Sequence, residues 1–213
     1  MKGIIYKDYL IAFLPKNIIS YLVNTLVIIS VVFYLPNVYG LILTVAISIP
    51  ISGSCLLQKT MEQDELSNFD KLQLTFPITK KQIVLAKYFG GLIMQGFFQL
   101  ISLFVMLYYY WRGIADIIIC FQIWILGLVI ALIFFWICYT GFYLLGNKKG
   151  LLLYLVMMIV IVVVYIFTFF NFKMISIYNF SYSILLILGI IFAVGVLVIS
   201  YLLSLKLFIR KYN

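Results

Sequence analysis

The sequence predicts an all-α membrane protein, with six transmembrane helices behind an interfacial helix, and three observations predict it. Of the 213 residues 66% are apolar and only 10% are charged, too little polar surface to cover a soluble globule. Six apolar stretches follow one another, each near the roughly 20 residues needed to cross a bilayer. The basic residues gather in the short segments between them, which is how membrane orientation is encoded. In a soluble protein a net charge of +9 would point to nucleic acid; here it points to anionic lipid headgroups and to no nucleic-acid partner. Residues 1–213 read as a single transmembrane domain.

In chain order, Ile4, Ile5, Leu10, Ile11 and Leu14 share a short segment with Lys2, Lys7, Asp8 and Lys16, and Pro15 ends it. That pattern predicts an interfacial helix over 1–16, lying along the inner leaflet. The segment lacks an Ala-x-Ala-like cleavage pattern, so the N-terminus is expected to be retained. Spans are predicted near 18–35, 38–57, 89–110, 117–145, 151–170 and 183–205. Pro36 and Asn37 turn the chain after the first, and Gly146-Asn147-Lys148-Lys149-Gly150 turns it after the fourth. The fourth stretch is too long for one straight helix, so it either starts as an interfacial segment after Gly113 or bends at Gly127. Of the 15 basic residues, all but Arg112 and Lys173 fall in the N-terminus, in 58–88, at Lys148/Lys149 or after Leu205. Both termini and the 58–88 loop are therefore expected in the cytosol.

No ionisable residue lies in the middle of a span, and histidine is absent from the chain. Ion-coupled transport, voltage sensing and metal-dependent membrane catalysis all lean on such groups, so neither catalytic nor metal-ligating residues are expected. Cys55, Cys120 and Cys138 have no paired spacing and read as small apolar side chains. The in-span polar residues are uncharged. Gln95, Gln99 and Ser102 share a helix face with Gly91, while Ser48, Ser52 and Ser54 flank Pro50, where hydroxyls can satisfy a carbonyl freed by the proline. They read either as interhelical hydrogen bonds, about 0.6 kcal/mol each in a membrane, or as the lining of a translocation path. Gly189 and Ala193 allow close helix packing in the last span, and Tyr108 to Trp111 read as an interfacial aromatic belt.

The 58–88 segment holds five lysines and four of the six acidic residues. Ser67-Asn68-Phe69-Asp70 has the form of a capping box, predicting a short helix that starts after Ser67 and ends before Pro77, with Phe69, Leu72 and Phe76 on one face. Thr79-Lys80-Lys81-Gln82 is a second box, with Ile78 placed to staple against Ile83, and restarts a helix leading into the third span. Two readings stay open on local physics: the piece docks in a groove of another protein, or its apolar face rests on lipid.

The run Glu62 to Tyr88, with Asn68-Phe69-Asp70 and then Phe76-Pro77-Ile78-Thr79-Lys80-Lys81-Gln82-Ile83-Val84-Leu85-Ala86-Lys87-Tyr88, resembles the loop between spans two and three of small ABC-2 type permeases. Phe76 stands where that family usually has Leu, and Phe69 where Trp is frequent. In topology the resemblance covers nearly the whole chain, and size and loop pattern are similar to permeases of the phenol-soluble modulin exporters of Gram-positive bacteria. The resemblance implies a cytoplasmic coupling helix between spans two and three, in which Ser67, Phe69, Asp70, Lys71, Leu72, Phe76 and Pro77 contact a separate nucleotide-binding ABC ATPase. It also implies a second permease subunit, identical or not, and a place in the plasma membrane of a bacterium. The chain has no G-x-x-x-x-G-K-[ST], so ATP and Mg are expected on the partner ATPase and no cofactor on this chain. A path without buried charge suits hydrophobic or amphipathic cargo, most plausibly a peptide, past Ser48, Ser52, Gln95, Gln99 and Ser102. The alternative is the substrate-capture subunit of an energy-coupling-factor importer, which needs a compact polar pocket.

Overall fold

The computed structural model describes residues 2–169 and 182–211, and among them every regular element is a helix. Lys173 and the ends of the loop around it lie outside the described residues. Helix α1 (Lys2–Ala12) buries Ile4, Asp8 and Ala12, one residue per turn, against the bundle, and exposes Tyr6 and Leu10 on its other side. Its inner face is thus covered by protein. After an extended Leu14, Pro15 opens α2 (Pro15–Tyr34) at a first-turn position, where its missing N–H leaves nothing unsatisfied.

Asn37 accepts a hydrogen bond from the Gly40 amide and caps α3 (Val38–Leu41), which begins a helical rod running to Leu66. The rod passes through a π-helical stretch, Ile42–Ser48, then α4 (Ile49–Gly53) and α5 (Cys55–Leu66). Pro50 has no amide to return to the preceding turn, and just before it the ladder slips to a wider register, Ile49 bonding to the Thr44 carbonyl. Gly127 crosses here: a Cβ at that position would stand 2.7 Å from the Val45 carbonyl oxygen. It marks a close helix crossing rather than the bend the sequence allowed. Most residues in the apolar stretch of this rod are buried and almost none in α2 are, which makes the rod the bundle's axis and α2 its outlying member.

Helices α7 (Lys80–Trp111), α8 (Ile117–Phe169) and α9 (Tyr182–Lys211) complete the bundle, with the short α6 (Phe69–Leu72) before α7. Five helical stretches among the described residues are long and apolar enough to cross a membrane. Straight, the 53 residues of α8 would extend about 80 Å, far beyond a bilayer. They do not run straight, because Gly146 sits at φ 76°, ψ 179°. Its two limbs fold back on each other: the Phe134 and Tyr154 rings meet at 5.3 Å between centroids, and Leu153 lies against Gly141. The five-residue turn expected over 146–150 is reduced to one non-helical residue. An alanine there would occupy a region essentially reserved for glycine at a cost of about 1–3 kcal/mol, so Gly146→Ala should lower the thermal midpoint of the protein in detergent.

Polar groups face inward and apolar ones outward, as expected where lipid is the solvent. Gln95, Gln99, Ser102, Ser200 and Ser204 are buried, while Leu22, Leu26, Phe104 and Ile191 are more than half exposed. Tyr88 binds three spans together: its hydroxyl lies 2.6 Å from Ser200 Oγ and 2.7 Å from Ser204 Oγ of α9, and its ring meets Tyr139 of α8 edge-on at 4.9 Å. The expected aromatic belt is divided. Trp111 and Tyr110 are exposed, whereas Tyr109 is fully buried and donates to the Leu35 carbonyl. Ala193 is fully buried, and Gly189 stands within contact distance of Val129 on α8.

Candidate functional site

The charged segment is less of a loop than its composition predicts. Helix α5 continues to Leu66 and α7 already begins at Lys80, leaving residues 67–79 between them. The first expected capping box does not form. Ser67 ends α5 with its amide and its hydroxyl both donating to the Gln63 carbonyl, and Asn68, not Ser67, stands before the next helix with no side-chain cap. Asn68 then takes a left-handed conformation (φ 52°), which a short amide side chain tolerates, and α6 comes after it as a single turn continued by a 3-10 turn, Gln73–Thr75. The short helix predicted between Ser67 and Pro77 is therefore a four-residue turn followed by a three-residue 3-10 turn. The second box forms as predicted: the Gln82 amide donates to Thr79 Oγ1 (3.3 Å) and the Thr79 amide to Gln82 Oε1 (3.1 Å).

Leu72 (53% exposed) and Phe76 (41%) project outward, joined by exposed Ser67, Lys71 and Pro77. The Asp70 side chain lies outside the described set. Phe69 is only half-buried, edge-on to Phe76 at 6.0 Å, and the Lys7 ammonium sits 4.0 Å from its ring centroid. Of the apolar face expected from the sequence, Leu72 and Phe76 are exposed, with Phe76 edge-on to Phe69, while Phe69 also carries the Lys7 ammonium.

Beneath this patch lies a group that the sequence does not announce. Lys7 Nζ is 2.5 Å from Asp64 Oδ1 and 3.1 Å from Asp8 Oδ1; Lys87 Nζ is 2.7 Å from Asp64 Oδ2 and 3.6 Å from Asp8 Oδ1. Asp8, Asp64 and Lys87 are 2%, 4% and 5% exposed, so two anions and one cation are out of water, balanced by a partly exposed second cation. Such a group survives burial only when every charge is paired. A signal for it is present all the same: Asp8 stands between Ile4 and Ala12, and Lys87 between Ile83 and Gly91, each a lone charge on an apolar helical face. Spread over residues 7 to 87, the four charges resemble solvated loop residues. A cavity of about 150 Å³ adjoins them, lined by Glu65, Gln73, Gly146 and Lys211 as well as Asp64 and Lys87.

Of the residues considered for a path, Gln95, Gln99 and Ser52 are engaged in joining helices, while the Ser102 hydroxyl is buried without a hydrogen-bond partner. Gln95 Nε2 donates to the Pro50 carbonyl (2.8 Å) and its Oε1 accepts from Ser54 Oγ (3.2 Å). Gln99 and Trp124 exchange side-chain to backbone bonds at 3.3 and 3.2 Å. Ser52 donates to the Ser48 carbonyl and accepts from Asn24 of α2 at 2.5 Å, and Ser102 is fully buried. Between α2 and α7 runs an apolar groove of about 430 Å³, lined by Tyr21, Leu22, Ile28, Phe97, Phe98 and Ile101 with Asn24 and Thr25.

A family model described as an ABC-2 family transporter protein matches residues 3–209. No curated protein and no solved structure matches the chain.

Proposed function

The chain belongs to the ABC-2 transporter family, and from that premise we propose that it is the permease subunit of an ATP-driven exporter that carries an amphipathic peptide out of a bacterial cell. One observation carries the reading. The exposed Leu72 and Phe76 lie on a short turned segment backed by a buried charge cluster, an apolar contact suited to the groove of a separate ATPase. That partner supplies ATP and Mg, which fits a chain without a phosphate-binding loop. Counting the two limbs of α8 separately makes six crossings, with both termini and α6 in the cytosol and two permease subunits enclosing the path.

Amphipathic cargo fits the groove between α2 and α7, which offers apolar and aromatic walls with an amide and a hydroxyl among them. With Gln95, Gln99 and Ser52 engaged as they are and Ser102 buried, a path lined by these residues and Ser48 requires α2 to part from the rod, and α2 is the least buried of the spans. An importer's capture subunit needs a compact polar pocket, whereas the Gln95 and Gln99 amides here donate to backbone carbonyls and the groove that holds Asn24 and Thr25 is mostly apolar.

The complex, reconstituted with its ATPase in proteoliposomes, should hydrolyse ATP faster when amphipathic helical peptides are added and should ignore small hydrophilic solutes. Inward uptake of a vitamin-sized polar compound would replace this reading with the importer. Orientation has its own check. On a cysteine-free background, an impermeant thiol reagent outside the cell should label a cysteine at Lys173 and miss one at Lys148; the reverse pattern overturns the topology.

A further inference from the structure

We propose that Lys7, Asp8, Asp64 and Lys87 form a positioning relay that carries movement of α6 into the membrane spans, with Lys7 as its outer handle. The inference rests on the proposed ATPase contact and names the residues that would make it productive. The backbone around α6 is a poor transmitter: Asn68 breaks the helix on one side, and residues 73–79 are a 3-10 turn and irregular chain on the other. The side-chain route is firmer. From Phe69 the first step inward is the Lys7 ammonium over its ring, and Lys7 is held in turn by Asp64 and Asp8.

Both carboxylates then hold Lys87 at the root of α7. Lys87 stands where three spans converge: its carbonyl accepts from the Tyr139 hydroxyl of α8, and its neighbour Tyr88 is bonded to Ser200 and Ser204 of α9. Because the group is electrically balanced and nearly dry, displacing one member alone would leave an unpaired charge in a poorly solvated site. The four therefore move as one body, and helix α1 moves with them.

The test uses the full complex in proteoliposomes with an amphipathic helical peptide as cargo. Lys7→Gln should leave complex assembly and basal ATP hydrolysis within about twofold of wild type while lowering peptide export about tenfold, the upper range of coupling energies carried by side-chain networks. Lys7→Arg, which keeps the charge and stacks on an aromatic face, should restore export. Wild-type export by Lys7→Gln overturns the relay, and so does a loss that Lys7→Arg fails to rescue. If Lys7→Gln does not assemble, Lys7→Met/Asp8→Asn removes the handle and leaves the neutral pair Lys87 and Asp64: assembly with export still lost supports the relay, and export regained overturns it. A wild-type complex whose hydrolysis ignores peptide counts against the export reading itself, which separates that failure from a failure of the relay.

Discussion

Replacing Lys87 with methionine will destabilise the fold by about 3–5 kcal/mol, the usual cost of removing one partner from a buried ion cluster. The substitution leaves Asp8 and Asp64 facing each other across a site from which water is nearly excluded, with only the partly exposed Lys7 to balance them. The methionine itself fits, being unbranched and of similar length, so the loss comes from charge and not from volume. Lys87→Met/Asp64→Leu removes one cation and one anion together, keeps Lys7 opposite Asp8, and should recover most of the loss, because a well-packed apolar pair commonly matches a buried ion pair in stability. Thermal midpoints of the three proteins in one detergent decide the matter. A Lys87→Met midpoint equal to wild type would mean the cluster is solvated, and a double variant no better than the single would mean that Lys87 acts through packing.

That a lysine can carry so much of the fold bears on how far the chain is legible from its residues. The helical membrane architecture is legible because hydropathy and the placement of basic residues are properties of single segments. The Thr79–Gln82 box is legible for the same reason, being a contact three residues long. The Ser67 box looks equally good in the sequence, yet Ser67 closes α5 and the chain turns left-handed at Asn68 before α6, a boundary set by the length of α5 and so by its packing against α1 and α8. The reversal at Gly146 is expected as a turn, but its economy, one residue at positive φ, rests on Phe134 and Tyr154 meeting across the limbs. The charge cluster lies furthest out of reach. Its members are separated by up to 80 positions, and a lysine that reads as loop charge becomes a buried ion only when three segments close around it. Gln95 shows the converse. Its helical spacing with Gln99 is plain, while its partner, the Pro50 carbonyl, lies 45 positions away, where the Ser54 amide bonds to Ile51 instead.

The double substitution Leu72→Ala/Phe76→Ala will weaken assembly with the ATPase by about 2 kcal/mol or more, near thirtyfold in affinity, while membrane insertion and thermal midpoint stay close to wild type. The direction follows from exposure. Both side chains project from the segment between α5 and α7, contribute little to this chain's own core, and are the kind of apolar anchor whose truncation costs most at an interface. From the sequence Phe69 is the natural first anchor, yet its ring already packs on Phe76 and carries Lys7. Phe69→Ala should therefore separate from the double variant: the ATPase still binds, and hydrolysis no longer drives export. Lys71→Glu, a change on the exposed rim, should alter mainly the salt dependence of association. Pull-down of the ATPase from detergent with each variant, followed by export from proteoliposomes, resolves the set. If Leu72→Ala/Phe76→Ala binds the ATPase as well as wild type does, the docking surface lies elsewhere on the cytoplasmic face and α6 is not the coupling element.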